Sequence, residues 1–448
     1  MSKSVDKIKL VPKHEHQKLK VIPRKKLRTL IFLILVALAI LFIYTCVPRN
    51  FLSISSSKYS VLNSSSSLKD SESEEFNDYY DILNDEKPKG TTERIKESGK
   101  TKNILFWTRF FNNPDWYTGK DEAGEEVLKS VQCPVTNCFF THNKELLGDI
   151  RKFDAIAFHG PEFRRAPLPN IRSPEQFYIF VSLESPTAVL DNLSAYKNFY
   201  NLSMTYRLDS DIKFDYGKVI DIKTNEIIAP AVNPKWKTPD ENFYDEKIMQ
   251  KFNTKKKPVA WFVSNCYTRS NRNKLVADIQ KYIDVDIYGN CGKLKCPVDD
   301  QKCLDMLTAD YKFYLSFENS LCKDYVTEKL YRPLTQYIIP IVFNGGNTSR
   351  FAPPKSYINA NDYNTPEELV KYLKYLIDNP KEYVKYFWWK QHYTIKSHPT
   401  YQYTLCDMCK KFNSESFMKA HHQYEDINEW YRNKDMCNQN SHIKFDNH

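Results

Sequence analysis

The sequence predicts an α/β protein: two doubly wound units facing across a cleft, preceded by a transmembrane helix and a flexible stem. Three observations carry that reading. Short apolar runs alternate with helix-length stretches over residues 103–250, and the alternation restarts over 255–393 after the lysine cluster Lys255–Lys257. An uncharged span near the N-terminus is also long enough to cross a bilayer. Strands alternating with helices at this spacing close into parallel sheets with crossover helices.

In chain order, residues 1–28 form a basic tail, with ten Lys/Arg against Asp6 and Glu15. Of the net charge of +10, the tail carries +8 and the other 420 residues only +2. The basic footprint is therefore a tail and not a groove, and no nucleic-acid partner is expected. Thr29–Val47 is a nineteen-residue stretch without a charge, about 29 Å long as a helix. A cleaved signal peptide is the rival reading, disfavoured by the long tail and by the missing small-x-small cleavage pattern. Eight Lys/Arg lie in the twenty residues before the span and only Arg49 and Lys58 in the twenty after it. The N-terminus is then expected in the cytosol and everything after Val47 in the lumen. Residues 48–102 are expected to be a disordered stem, because eleven of the twenty-one residues Ser53–Ser73 are Ser and an acidic stretch follows.

Folded sequence begins at the strand-like run Asn103–Phe111, with further runs at Ala155–Phe158 and Gln176–Leu183. In the second unit Val259–Val263 reads as a buried strand and Ser270 as an N-cap, with Leu275, Ile279 and Ile283 on one helix face. Strands at Val285–Tyr288, Tyr311–Phe317 and Tyr337–Phe343 follow, with a helix from about Val326. The cluster Lys255–Lys257 reads as a linker or solvated face. Residues 394–448 are expected to be a Cys-containing closing segment packed back on the body.

Ten of the eleven cysteines follow the span, an even number with close pairs at Cys133/Cys138, Cys291/Cys296 and Cys406/Cys409, as expected in an oxidising compartment. For Cys406–Cys409 a zinc half-site and a redox pair compete with a structural disulfide, which is favoured because nothing completes a zinc site. Sequons begin at Asn63, Asn192, Asn201 and Asn347. Glycine is scarce, 11 of 448 residues, with no G-x-G-x-x-G and no G-x-x-x-x-G-K-[ST]. That disfavours dinucleotide oxidoreductases and P-loop NTPases.

Ligands of open α/β sheets lie at the carboxyl ends of the strands. Polar residues crowd those ends in the second unit: Ser264, Asn265, Arg269 and Arg272 follow one strand, and Glu318, Asn319 and Ser320 another. Asp324–Lys329 then opens a helix whose N-terminus, flanked by Lys and Arg, suits an anion. The residues alone describe a phosphate-bearing donor site without a glycine loop, or a solvated strand end with surface ion pairs.

The string Phe317-Glu-Asn-Ser-Leu-Cys-Lys-Asp-Tyr-Val-Thr-Glu-Lys-Leu330 resembles the donor-binding signature of the Golgi α1,3/α1,4-fucosyltransferases. Phe262-Val-Ser-Asn265 with Arg272, Leu183-Glu-Ser-Pro186, Met204-Thr-Tyr-Arg-Leu-Asp-Ser-Asp211 and Ile104-Leu-Phe-Trp-Thr108 match the same family in order, over about residues 103–410. The loop Asp286-Ile-Tyr-Gly-Asn-Cys-Gly292 to Cys303 is closer in character to invertebrate α1,3-fucosyltransferases. Pro333 departs from the family pattern and should kink or shorten its helix.

The resemblance implies a GT-B type fold of two Rossmann-like domains, an N-terminal acceptor domain (103–250) and a C-terminal GDP-fucose domain (255–393). It implies an inverting transfer of L-fucose from GDP-fucose, in α1,3 linkage, onto GlcNAc of N-linked or related glycoprotein glycans, in the Golgi membrane with single-pass type II topology. Glu184 matches the catalytic base, needed because a single displacement must take the acceptor's proton. Arg272 and Lys329 are expected on the phosphates, Asn319 and Tyr325 on donor groups, and Glu328 on sugar or ribose hydroxyls. Trp107, Trp116 and Tyr117 are weaker candidates for stacking on the acceptor sugar. GDP-fucose is a co-substrate and no cofactor is expected to be tightly bound. Asp209-Ser-Asp211 and Asp284-Val-Asp286 have the D-x-D form of a metal site, but no metal is assigned, and stimulation by a divalent cation stays open. The expected partners are GDP-fucose, GlcNAc-containing glycans and the bilayer. A transferase for another nucleotide sugar and a catalytically silent lectin-like or partner subunit are the competing readings.

Overall fold

The computed structural model describes residues 99–444, except 117, 119–121, 166, 190–192, 297–300, 398–399, 434 and 438–440. The basic tail, the span Thr29–Val47, the stem, Asn63, Tyr117 and Asn192 lie outside the described residues. Among the described residues no helix is long and apolar enough to cross a membrane.

The N-terminal half contributes β1 (Lys102–Phe106), β2 (Glu122–Ala123), helix α1 (Glu125–Lys129), β3 (Cys138–Thr141), β4 (Ala155–His159), β5 (Phe177–Ser182), β6 (Leu202–Thr205) and β7 (Ile212–Lys213). They form one sheet in the order β2-β3-β1-β4-β5-β6-β7. Every pairing is parallel except the hairpin partner β2 against β3. All five residues of β4 and five of the six of β5 are buried, the continuous apolar run of a parallel sheet covered on both faces. β8 (Gly217–Asp221) and β9 (Ile227–Ala229) follow as an antiparallel pair.

The second half begins at helix α2 (Glu246–Thr254), N-capped by the Asp245 side chain on Ile248 N. Its sheet holds β10 (Lys257–Phe262), β11 (Val285–Tyr288), β12 (Tyr311–Phe317), β13 (Ile339–Phe343) and β14 (Ile358–Asn359), all parallel, in the order β11-β10-β12-β13-β14. Helices α3 (Arg272–Ile279), α4 (Gln301–Asp310), α5 (Glu328–Thr335), α6 (Pro366–Asp378) and α7 (Pro380–Lys385) connect and cover it. In that strand order the chain reverses direction across the sheet between β10 and β12, so a crevice opens at their carboxyl ends.

The chain then returns to the first half. β15 (Tyr393–Ser397) pairs antiparallel with β8, and α8 (Tyr401–Phe412), α9 (Glu415–Lys419) and α10 (Ile427–Arg432) follow. The disulfides Cys133–Cys406 and Cys138–Cys409 fasten α8 to the first half. Cys266–Cys291, Cys296–Cys303 and Cys322–Cys437 complete the set. The C-x-x-C pair is thus neither an internal bridge nor a metal half-site; each cysteine has a long-range partner.

Local expectations differ from the fold in four places. Ile283, expected on one helix face with Leu275 and Ile279, lies past the end of α3 at Ile279. The strand expected over Asn103–Phe111 ends at Phe106; Phe110 bridges Asn113 in a tight turn and Phe111 takes a left-handed angle, φ 49°, that no strand accommodates. Ser270 is not an N-cap: Asn271 precedes α3 with φ 54°, while Ser270 Oγ donates to Glu318 O at 2.7 Å. Lys255 is buried, not a solvated linker residue. Its ammonium donates to Thr308 O at 2.6 Å and Tyr311 O at 2.7 Å, satisfying carbonyls at the C-terminal end of α4.

Candidate active site

The crevice between β10 and β12 is built from their two exits. Arg272, the first residue of α3, is 3% exposed and ties the exits together: Nη1 donates to Phe317 O at 2.7 Å and Nη2 to Asn265 O at 3.0 Å. Its Nε is buried without a partner. The expected phosphate ligand therefore spends much of its guanidinium on backbone, a commitment that a sequence pattern cannot display. Cys266–Cys291 pins the exit of β10 to the loop after β11.

β12 ends on Glu318, a carboxylate 1% exposed. Its Oε1 accepts from Thr327 N and Thr327 Oγ1, both at 2.8 Å, and Thr327 is the N-cap of α5. Lys329 Nζ lies 3.3 Å from Glu318 Oε2, 3.1 Å from Glu328 Oε1 and 2.9 Å from Thr327 Oγ1. Burial pulls the Lys329 ammonium down, but Glu318 and Glu328 outweigh it and hold Lys329 above the ordinary lysine range. Burial pushes Glu328 up; Lys329 outweighs that and holds it below the usual carboxylate range. Glu318 itself is raised, because burial exceeds the pull of Lys329.

Pro333 falls inside α5 without displacing this cluster. It has no N–H for the carbonyl four residues back, that of Lys329, and Ser316 Oγ supplies the missing donor at 2.6 Å. The helix ends at Thr335.

Phe262–Asn265, Arg272, Asn319, Glu328 and Lys329 line one cavity of ≈ 210 Å³. Asn319 Oδ1 is buried there without a hydrogen-bond partner, an open acceptor on the cavity wall. Tyr325 is not among the lining residues. It is 2% exposed and packs against Tyr206 at 4.9 Å, and its hydroxyl bonds with Tyr216. It stands beneath the crevice among Glu184, Glu318 and Glu328, whose charges reach it.

From the first half, Glu184 lies two residues past the end of β5, half-buried. Its backbone carbonyl takes the Tyr431 hydroxyl and Ser182 Oγ. Its carboxylate has no hydrogen-bond partner among the described residues. Burial raises the Glu184 carboxyl, the Lys329 charge lowers it, and Glu328 and Glu318 raise it further. The halves meet beside it through hydroxyls: Ser185 Oγ and Thr187 Oγ1 lie 3.0 and 2.7 Å from Ser320 Oγ. Glu184 is not among the residues lining the cavity, but it stands within reach of the Lys329 charge beside the hydroxyl seam, an arrangement that can accept a proton on one side while Arg272, Lys329 and Arg332 neutralise a departing anion on the other.

Other expected residues are placed elsewhere. Trp116 is 3% exposed, stacked on Phe106 at 4.5 Å with its Nε1 on Thr108 O, so it belongs to the core and not to a sugar platform. Trp107 is half-buried, with Lys144 Nζ 3.7 Å above its ring. Asp209 pairs with Arg207; Asp211 accepts from Ser203 N at 2.8 Å, Ser203 Oγ at 2.9 Å and Tyr424 OH at 2.8 Å. Asp286 binds Lys257 at 2.8 Å and Tyr311. Among the described residues no group of three or more His, Cys, Asp or Glu is placed to hold a metal. Asn347 is exposed, while Asn201 is half-buried with its Nδ2 on His422 O at 3.0 Å and its Oδ1 on Tyr178 N at 2.8 Å, a poor place for a glycan. Glu318 and Ser320 stand among the polar residues that crowd the strand ends in the sequence but were given no role there, because a carboxylate that holds a helix cap reads like any strand-end acid.

Residues 99–217 match the family "Fucosyltransferase, N-terminal", and residues 252–430 match "Glycosyltransferase family 10 (fucosyltransferase) C-term". The chain is 41% identical over 360 residues to Alpha-(1,3)-fucosyltransferase C of Drosophila melanogaster, covering 80% of this chain and 83% of that protein. It is 34% identical over 364 residues to Glycoprotein 3-alpha-L-fucosyltransferase A of the same organism, covering 79% and 65%. A solved structure described as alpha1,3-Fucosyltransferase with GDP-fucose aligns with TM-score 0.44 at 15% identity, covering 75% of this chain and 96% of that one.

Proposed function

The chain belongs to glycosyltransferase family 10, the fucosyltransferases, and on that premise we propose an inverting GT-B type enzyme that moves L-fucose from GDP-fucose, in α1,3 linkage, onto GlcNAc of glycoprotein glycans. The uncharged span and its basic flank support a single-pass type II anchor in the Golgi membrane, with the catalytic portion lumenal. The relatives' names support the transferred sugar and the linkage.

One observation carries the mechanism: the Glu184 carboxylate has no hydrogen-bond partner among the described residues and feels the charge of Lys329 from the other half. Glu184 takes the proton of the acceptor hydroxyl while that oxygen forms the new bond to the fucosyl carbon. The bond from that carbon to the diphosphate breaks on the opposite face, and its electron pair leaves with GDP. Lys329 and Arg272 Nε meet the charge that develops there. Lys329 donates to Glu328 and Thr327 and pairs with Glu318 at 3.3 Å, so a diphosphate competes with these partners for the ammonium. Glu328, the more exposed of the two carboxylates, is the one released, and it becomes free to accept sugar or ribose hydroxyls. Asn319 Oδ1 offers a further acceptor to the donor.

The test is single-turnover fucose transfer with calorimetric GDP affinity on Glu184→Gln and Lys329→Ala. Glu184→Gln should keep GDP affinity while transfer falls by about two to four orders of magnitude. Lys329→Ala should weaken GDP by on the order of 1.5–3 kcal/mol. Normal transfer by Glu184→Gln refutes the base, and a wild-type chain that binds GDP without transferring fucose from GDP-fucose to any of a panel of GlcNAc-ended glycans is a silent subunit.

A further inference from the structure

A second polar cleft, of ≈ 650 Å³, opens where the returning chain meets the edge of the first half, and it shares no lining residue with the donor cavity. One wall is a face of α8 carrying Tyr403 and Lys410; the others are formed by β7, β8 and β15, which contribute Lys213, Lys218 and Lys396. The volume falls within the range of about 300–1,000 Å³ usual for small-ligand sites. Both sides are fixed before any ligand arrives: Cys133–Cys406 and Cys138–Cys409 hold α8, and β8 pairs with β15 over five residues. Rigid walls lower the ordering cost of binding.

The lining asks for two kinds of group at once. The lining holds five lysines, Lys213, Lys218, Lys396, Lys410 and Lys411, against Asp211, Asp215 and Asp407; among the described residues Lys213, Lys396 and Lys410 have no acidic partner, and Lys213 is half-buried, so an anion there gains more than it would at an open surface. At the cleft's edge toward the core lies a buried ion pair. Asp215 is 3% exposed and Lys218 8%; Asp215 Oδ2 takes the Lys218 ammonium, while Oδ1 is buried with no hydrogen-bond partner. An orphan acceptor in that position calls for a hydroxyl or water donor. Tyr403, half-buried with Lys218 Nζ 5.9 Å from its ring centre, supplies an aromatic face. Anionic groups, hydroxyl donors and a ring that can lie on an aromatic face occur together in acidic saccharides. Acidic peptides lack the density of hydroxyls.

We propose that this cleft is a binding site for an acidic oligosaccharide, separate from the catalytic crevice. Such a chain has two sources, a sialylated or sulfated antenna of the acceptor glycoprotein or a free sulfated polysaccharide. The proposal does not depend on the catalytic roles assigned above, because binding is read directly.

The experiment titrates the full chain in detergent with a heparin-derived hexasaccharide, a sialylated antennary glycan and neutral maltohexaose, by calorimetry at fixed salt. At least one acidic saccharide should bind and maltohexaose should not. The double variant Lys396→Glu/Lys410→Glu should weaken acidic binding by about tenfold or more with GDP affinity unchanged, which also certifies the fold. Lys396→Ala/Lys410→Ala serves if charge reversal disturbs folding. Tighter binding of the antennary glycan assigns the acceptor as the source, and tighter binding of the hexasaccharide assigns the free polymer. If acidic binding is absent, or survives both double variants as it would if the basic tail of residues 1–28 were responsible, the proposal is overturned.

Discussion

Ser316 offers a quantitative test of how the donor helix is held. Pro333 deprives the Lys329 carbonyl of its helical donor, and Ser316 Oγ replaces it at 2.6 Å from a side chain only 2% exposed. Ser316→Ala strands a largely buried acceptor, a cost of about 1–3 kcal/mol. In a Pro333→Ala background the new N–H can bond the same carbonyl, so Ser316→Ala then removes a spare partner and costs about 0.5–1.5 kcal/mol. The difference is a coupling energy of order 1 kcal/mol between residues that belong to different elements. Hydrogen exchange on the peptide Glu328–Gln336, read by mass spectrometry in all four proteins, measures it locally. With about tenfold per 1.4 kcal/mol, Ser316→Ala should accelerate exchange about 5- to 140-fold alone and about 2- to 12-fold with Pro333→Ala. Equal acceleration in both backgrounds would show that the hydroxyl does not substitute for the missing N–H.

Three other predictions rest on separate features. Burial raises the Glu184 carboxyl with Glu328 adding to the rise, and a base must be ionised; kcat/KM should therefore fall with decreasing pH along a limb above the ordinary carboxylate range, and Glu328→Gln should move that limb to lower pH. A limb that moves upward in this variant contradicts the assigned coupling. On expression in a glycosylating host, Asn347→Gln should remove one glycan from the chain and Asn201→Gln none, as read by gel mobility with and without peptide N-glycosidase. Gly217→Ala would put a Cβ 2.2 Å from Tyr331 Cγ on α5, so it should cost about 1–3 kcal/mol or more and lower the melting temperature; an unchanged melting temperature would mean that this contact relaxes freely.

The α/β architecture was legible because parallel sheets bury both faces and so print apolar runs, unbroken at Ala155–Phe158; Val285–Tyr288 and Tyr311–Phe317, though interrupted by Asp286 and by Lys312 and Ser316, are strands with the bounds their sequence suggests. The crowding of polar residues after β10 and β12 was legible for a related reason, since nothing in a buried strand explains Ser264, Asn265, Glu318 or Asn319. Partner choice was not. Whether Arg272 faces a ligand or the carbonyls of Phe317 and Asn265 depends on two strands brought together from 45 and 7 residues away. Trp116 and Lys255 failed for the same cause. An aromatic in a loop and a lysine in a lysine run look exposed until the fold supplies, respectively, the ring of Phe106 and the carbonyls of α4. Cysteine pairing is the extreme case, with separations of 273 and 271 residues for the two bridges to α8.

What the structure adds to the matched motifs is an internal electrostatic balance. Lys329 is the pivot: Glu318 is buried beneath the N-cap Thr327 of α5, whereas Glu328 keeps 27% of its side chain exposed. On the roles proposed above, a diphosphate entering the crevice competes with the more exposed carboxylate and not with the one that holds the cap. The same lysine lowers the proton affinity of Glu184 from across the seam. Drawing Lys329 toward a diphosphate brings further negative charge near Glu184, which raises its proton affinity and makes it a stronger base when the donor is in place. Once GDP leaves, Lys329 returns to Glu328 and that added charge is gone. On the proposed roles, diphosphate occupancy and base strength are thus linked through one ammonium, and Glu184 is a stronger base while a diphosphate is bound than when the crevice holds none.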